Sequence, residues 1–309
     1  MKILITGSSG LVGSALAPYL RDLGHHVVRL IRSTPRLGQS EIFWDPTMDV
    51  LDLSSCGDFD AVVHLAGENL AEGRWTVQKK VRIRKSRVQG TRILSEAIAR
   101  LQSPPKILAS ASAIGFYGHR ADELLGESSL AGAGFLAEVC QQWEAATLPA
   151  VERGIRVVQL RLGVVLSRGG GALANLLPLF QFGMGGVLGS GRQYWSWIAM
   201  EDVLGAIDHI LATEQLSGPV NVVSPQPISN REFTKTLGRL LSRPTMLRVP
   251  ALAARIAFGE MADEAFLASA RVEPVKLLGT GYTFRYPNLT DALRHFLKDE
   301  KSKASLHFE

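Results

Sequence analysis

Lys2-Ile3-Leu4-Ile5-Thr6-Gly7-Ser8-Ser9-Gly10-Leu11-Val12-Gly13 opens the chain, and its reading decides the fold. Lys2 to Thr6 is a short β-rich apolar run of the kind buried in a parallel sheet. From Leu11 to Leu23 apolar residues recur at helical spacing, and Gly24 stops them. Three glycines at intervals of three fill the turn between strand and helix, the context a dinucleotide-binding turn requires. Gly7 permits the tight turn, Gly10 lets backbone approach a pyrophosphate, and Gly13 lets helix and strand pack closely. Ser9, Leu11 and Val12 complete the cradle, with the pyrophosphate on the N–H groups and positive dipole end of the helix. No Gly-Lys-Ser/Thr ending follows, which argues against a nucleotide-hydrolysing loop.

The second strand, His26 to Ile31, leads into the cofactor question. About 20 residues past the turn an NAD-preferring site carries Asp or Glu. Here stand Arg29-Leu30-Ile31-Arg32. A guanidinium fork suits a 2′-phosphate where a carboxylate would repel it, so NADP is the expected cofactor. Arg32, at the strand tip, is the better placed of the two.

Further strands are expected at Asp60 to Leu65, Lys106 to Ala109, Arg156 to Leu166 and Val220 to Val223, with helices over Val88 to Leu101, Phe135 to Glu152 and Ala199 to Leu211. Alternating strands and helices imply right-handed βαβ units, an α/β Rossmann fold with a doubly wound parallel sheet. Past Arg168 the texture changes to Gly169-Gly170-Gly171, Gly183 to Gly186 and Gly189-Ser190-Gly191, a loop-rich stretch of the kind that carries function. The expected division is a cofactor domain over 1–168, with 199–224 returning to it. A smaller C-terminal substrate lobe takes 169–198 and 225–297, and 298–309 form a charged, frayed tail.

Composition sets the outer bounds. With 309 residues, 46% hydrophobic and 20% charged, the chain is an ordinary globular one with a net charge of +5. The basic run from Lys79 to Arg87 is either a solvated helix face or a surface turned to an anionic ligand. Aromatics do not interleave with it, and no nucleic-acid module is visible. Two cysteines give neither disulfide framework nor metal spacing and suit a reducing cytoplasm. No apolar run approaches the roughly 20 residues of a membrane span.

The glycine spacing resembles that of the extended short-chain dehydrogenase/reductases, the superfamily of sugar-nucleotide epimerases and dehydratases. More specific strings narrow the resemblance: His64 to Asn69, Arg74-Trp75, Ser86-Arg87, Ser112-Ala113-Ile114-Gly115-Phe116-Tyr117-Gly118, Phe135 to Cys140 with Trp143-Glu144, Gly191-Arg192-Gln193 and Ser196-Trp197-Ile198. Together they are similar to the epimerase family branch with a conserved C-terminal domain, here Pro250 to about Leu297. Some relatives in that branch are labelled cell division inhibitors.

The resemblance implies further cofactor contacts. Leu65, Ala66 and Gly67 end a strand beside the cofactor, and Val165 follows another strand into the cleft. Asp45 stands near the adenine. Arg87 takes the helix position where many superfamily members hold the cofactor with Asn; it adds a cation near the phosphates or pairs with a surface carboxylate. The superfamily's oxidoreductases use Ser or Thr with Tyr-x-x-x-Lys, the ammonium lowering the phenol's pKa. Ser112 matches the serine. Phe135 stands at the tyrosine and Val139 at the lysine, so the usual acid/base is missing. None of the five tyrosines is followed four residues later by lysine.

Tyr117 is a substitute candidate, since the turn after Ser112 is expected near the nicotinamide; the other reading is an aromatic packing the cleft floor. Glu68, Asp122 and Glu123 read as surface or capping carboxylates. Gln193, Trp195 and Trp197 line a substrate pocket or pack the lobes. Two functions remain open: an NADP-dependent oxidoreductase or nucleotide-sugar epimerase acting on a small molecule, and a catalytically weak NADP(H) sensor that controls a protein partner. No metal is expected.

Overall fold

The computed structural model describes residues 1–48 and 50–304, with side chains through 297. A seven-stranded, all-parallel sheet forms its centre. Strands β1 (Lys2–Thr6), β2 (His26–Ile31), β3 (Glu41–Phe43), β4 (Ala61–His64) and β5 (Ile107–Ala113) are joined by Arg156–Leu162 and Gly218–Val222. Their spatial order is Gly218–Val222, Arg156–Leu162, β5, β4, β1, β2, β3. The order reverses beside β1, where Ile3 pairs with Ala61 on one side and with Val27 on the other. A ligand crevice forms outside the carboxyl ends at such a switch point.

Side-chain alternation along β1 builds two cores. Ile3 and Ile5 pack with Leu16 and Leu20 of helix α1 (Leu11–Asp22) and with Ile207 of the Met200–Ala212 helix. Leu4 faces the opposite side, with Ile93, Leu94 and Ile98 of helix α2 (Val77–Ala99). Period-two burial on both faces is what a sheet covered by two helical layers dictates.

Three elements of the cofactor half differ from expectation, and helix Gly171–Gln181 occupies part of the stretch expected to be loop. Helix α2 begins at Val77, eleven residues before the expected Val88, because Thr76 caps it by accepting from Lys79 N at 3.2 Å. The basic run therefore lies on a helix. The helix expected over Phe135 to Glu152 is two, α3 (Phe135–Ala145) and Leu148–Glu152, and Pro149 starts the second. The strand expected over Arg156 to Leu166 breaks at Gly163, and Val164–Leu166 turns away to pair with Trp197–Ala199. A Cβ on Gly163 would stand 2.6 Å from Ser196 O, so only glycine permits that crossing.

The C-terminal half adds two-stranded ribbons: Tyr194–Trp195 with Ile228–Ser229, Gly186–Leu188 with Leu247–Val249, and Leu124–Leu125 with Arg271–Val272. The last helix runs Leu289–Ala304, and what remains of the expected tail lies outside the described residues. Among the described residues no helix is long and apolar enough to cross a membrane.

Candidate functional site

A cleft of about 660 Å³ opens at the carboxyl ends of the strands. Gly7, Gly10, Leu11, Val12 and Gly13 form one wall, and Leu65, Gly67, Arg87, Ser112 and Val165 also line it. The glycine turn is as tight as its sequence demands. Gly7 has φ +68°, and a Cβ there would fall 2.6 Å from Leu65 C. A Cβ on Gly13 would fall 2.2 Å from Gly7 O. Beneath the turn, Thr6 Oγ1 meets His64 Nδ1 at 2.6 Å and accepts from Leu65 N at 3.2 Å, tying the ends of β1 and β4 together. Ser9 is exposed beside the turn; Ser9, Ala66, Arg32 and Asp45 do not line the cleft.

The cations sort themselves by their partners. Arg29 pairs with Glu41 and is spent. Arg32 is exposed at the tip of β2, and among the described residues no hydrogen bond or ion pair engages its guanidinium. Asp45 lies within its field, but the carboxylate caps Thr47, accepting from N at 2.8 Å and Oγ1 at 2.7 Å, which lowers its pKa.

Arg87 is 9% exposed on α2. It lies over Trp143 at 5.0 Å and gives Nη1 to Ile83 O at 3.3 Å. Its Cζ would stand 3.3 Å from a Cβ on Gly67. Burial lowers its pKa, and no carboxylate among the described residues pairs with it. The nearest candidate, Glu68, is held by Lys79 at 2.8 Å and Arg82 at 3.3 Å. A buried cation lining a glycine-walled cleft, with Glu68 acting on it only from beyond ion-pair distance, is a seat for an anion. These residues fit a dinucleotide.

The sequence profile of the NAD dependent epimerase/dehydratase family matches residues 3–223, and a domain of unknown function (DUF1731) matches residues 249–296. The chain belongs to the NAD dependent epimerase/dehydratase family. An epimerase family protein of Mycobacterium bovis is 45% identical over 291 residues, covering 94% of this chain and 96% of its own. Human epimerase family protein SDR39U1 is 34% identical over 301 residues, 96% of this chain and 100% of its own. The crystal structure of its isoform 2 with NADPH matches at TM-score 0.87 and 31% identity, covering 96% of this chain and 99% of that one. A nucleoside-diphosphate sugar epimerase from Corynebacterium glutamicum matches at TM-score 0.79 and 39% identity, over 96% of this chain and 58% of that one.

Within this epimerase/dehydratase family member, β5 carries Ser112 to the cleft. The serine is 2% exposed, and its Oγ donates to Glu144 Oε1 at 2.7 Å. Arg161 grips the same carboxylate, Nε to Oε1 and Nη2 to Oε2, both at 2.9 Å. Phe135 and Val139 are buried, and Phe135 packs edge-on against Trp75 at 5.5 Å. Cys140, next along α3, is buried, which pushes its thiol up to about 12.

Tyr117 does not line the cleft. Its ring is fully buried, its phenol donates to Asn221 Oδ1 at 2.7 Å, and it accepts from Arg161 Nη1 at 3.0 Å. Burial raises its pKa, and its position outside the cleft contradicts a proton-transfer role there and leaves the packing reading. Trp197 and Gln193 are buried outside the cleft, while Trp195 lines it. Asp122 and Glu123 are exposed away from it, Glu123 paired with Arg120.

Three groups here fall outside the sequence-based candidates. Glu144 sits beside Trp143 in a quoted string, so its signal was present. His119 lines the cleft with Nδ1 accepting from Ser269 N at 3.0 Å. Glu264 caps α3, accepting from Phe135 N at 3.1 Å and Leu136 N at 3.0 Å. It comes from 129 residues away, and no local pattern announces it.

Proposed function

We propose that this chain is an NADP(H)-binding member of the short-chain dehydrogenase/reductase type, an oxidoreductase acting on a small molecule held against Ser112. One observation carries the reading: Arg87 is buried against Gly67 in the wall of the cleft, and no carboxylate among the described residues forms an ion pair with it. Arg32 supplies the preference for NADP(H) over NAD(H), offering its open guanidinium to the 2′-phosphate. NADP(H), when bound, supplies or accepts a hydride. The chain's own contributions are the cradle at Gly7 to Gly13, the cation at Arg87 and a fixed hydroxyl at Ser112.

A second reading has its own support. Phe135 and Val139 are packed in an apolar cluster with Trp75, Ile83 and Met261, so the superfamily's acid/base position holds no titratable group. This favours a slow enzyme, or an NADP(H)-occupied cytoplasmic protein that signals to a protein partner.

Thermal unfolding with NADPH, NADP, NADH and no ligand tests the common premise. A rise of a few degrees for NADPH and NADP, with little for NADH, supports it, since a ligand that binds the folded state stabilises it. No rise with any of them refutes it. Consumption of NADPH with aldehydes, quinones and nucleotide sugars then separates oxidoreductase from sensor.

A further inference from the structure

We propose that the substrate half of the cleft takes a small uncharged molecule with a flat apolar face and refuses nucleoside diphosphates, with Glu264 setting that choice. The inference rests on the cofactor placement proposed above.

Away from the glycine turn, the walls include the apolar Ile114, Leu136 and Val139, the rings of Tyr194 and Trp195, and the polar His119, Asp263 and Glu264. Trp195 lines this side with its one donor engaged, Nε1 giving to Phe266 O at 3.2 Å. The obvious place for an anion on this side is the first turn of α3, where free N–H groups and the positive dipole end converge. Glu264 already fills it. Among the described residues no cationic side chain pairs with that carboxylate, and neighbouring Asp263 is taken by Arg255 at 2.9 Å.

The basic groups lining the cleft do not change the balance. Arg87 lies against Gly67, on the cofactor side. His119 accepts a backbone N–H at Nδ1, so that nitrogen is not free to donate to an anion. A diphosphate entering here would bring two negative charges beside Glu264 with no fixed cation to meet them, and such like-charge juxtaposition is strongly unfavourable. A neutral ketone, alcohol or quinone loses little hydration on entry and stacks on Trp195.

The test titrates NADPH-loaded protein by calorimetry with UDP-glucose and with 2-acetylnaphthalene, a flat neutral ketone, using wild type and Glu264→Gln. The ketone is expected to bind both forms alike. UDP-glucose is expected to bind the variant about tenfold more tightly than the wild type. Equal UDP-glucose binding by the two forms, or no binding of the ketone to wild type, overturns the proposal. If the variant does not fold, competition on wild type decides: displacement of the ketone by UDP-glucose overturns the proposal, and persistence of the ketone supports it. An absent thermal shift with NADPH, measured first, counts against the cofactor reading instead.

Discussion

Ser112 gives its hydroxyl proton to Glu144 across 2.7 Å, and Arg161 holds that carboxylate in a two-point grip. A carboxylate fixed by a guanidinium only accepts, so the serine hydroxyl is held as its donor. The pair is buried, at 4% exposure for Arg161 and 13% for Glu144. Glu144→Gln leaves the guanidinium facing an amide N–H and is expected to cost about 3 kcal/mol or more of unfolding free energy. Urea denaturation measures it; a loss under about 1 kcal/mol would mean solvent already shares the charge.

Ser112→Ala is expected to lower turnover on any substrate that emerges from the NADPH screen while leaving NADPH affinity within about twofold. Turnover and affinity are measured on the same preparation. Unchanged turnover assigns Ser112 to the Glu144–Arg161 network alone.

Arg32→Ala separates the two nicotinamide cofactors. NADPH affinity is expected to fall about tenfold or more, while NADH affinity stays nearly constant. Fluorescence titration with each gives the comparison, and equal losses would remove the 2′-phosphate from Arg32.

Arg87→Met trades a buried cation that forms no direct ion pair among the described residues for an apolar chain of similar length. Cofactor-free protein is expected to be as stable as wild type or more so, because the desolvation cost of the charge disappears. NADPH and NADH should both stabilise the variant less than they stabilise wild type. Differential scanning calorimetry reads both effects, and full stabilisation by NADPH would free Arg87 from any phosphate.

His64 is fully buried between Thr6 and Thr91, and burial lowers its pKa from an ordinary 6.5 to about 4. Above pH 6.5 neither the folded nor the unfolded imidazole is charged. Between 6.5 and 4 the unfolded chain takes up a proton that the folded one refuses, so stability falls as pH falls. The cost approaches about 3 kcal/mol at the acid end. Denaturation midpoints from pH 7 to 4 should show this slope for wild type and lose most of it in His64→Gln.

The glycine turn was legible because its determinants are contiguous. Gly7 to Gly13 lie within one β-turn-α stretch, where spacing alone fixes geometry. The loss of tyrosine and lysine could be read from Phe135 and Val139, four residues apart on one helix. The start of α2 was hidden because its inward face includes Arg87 and Gly90, which do not register as an apolar stripe. Tyr117 looked available from its place after Ser112, but the partners that bury it, Arg161 and Asn221, arrive from strands 44 and 104 residues on. Contacts made across such separations leave no trace in local periodicity.

The Arg271–Val272 strand pairs with Leu124–Leu125, and Glu127 Oε1 accepts from both Asn221 N and Lys276 N at 3.1 Å. Ser196 Oγ bridges Ala270 O and Val272 N at 2.8 Å each. The residues matched by the second domain are thus stitched into those matched by the first at atomic register. Such a seam constrains exchange: the two segments have to be replaced together. A chimaera that grafts a distant relative's final fifty residues onto this chain must bring the facing loop with them, or leave backbone groups bare on both sides of the graft.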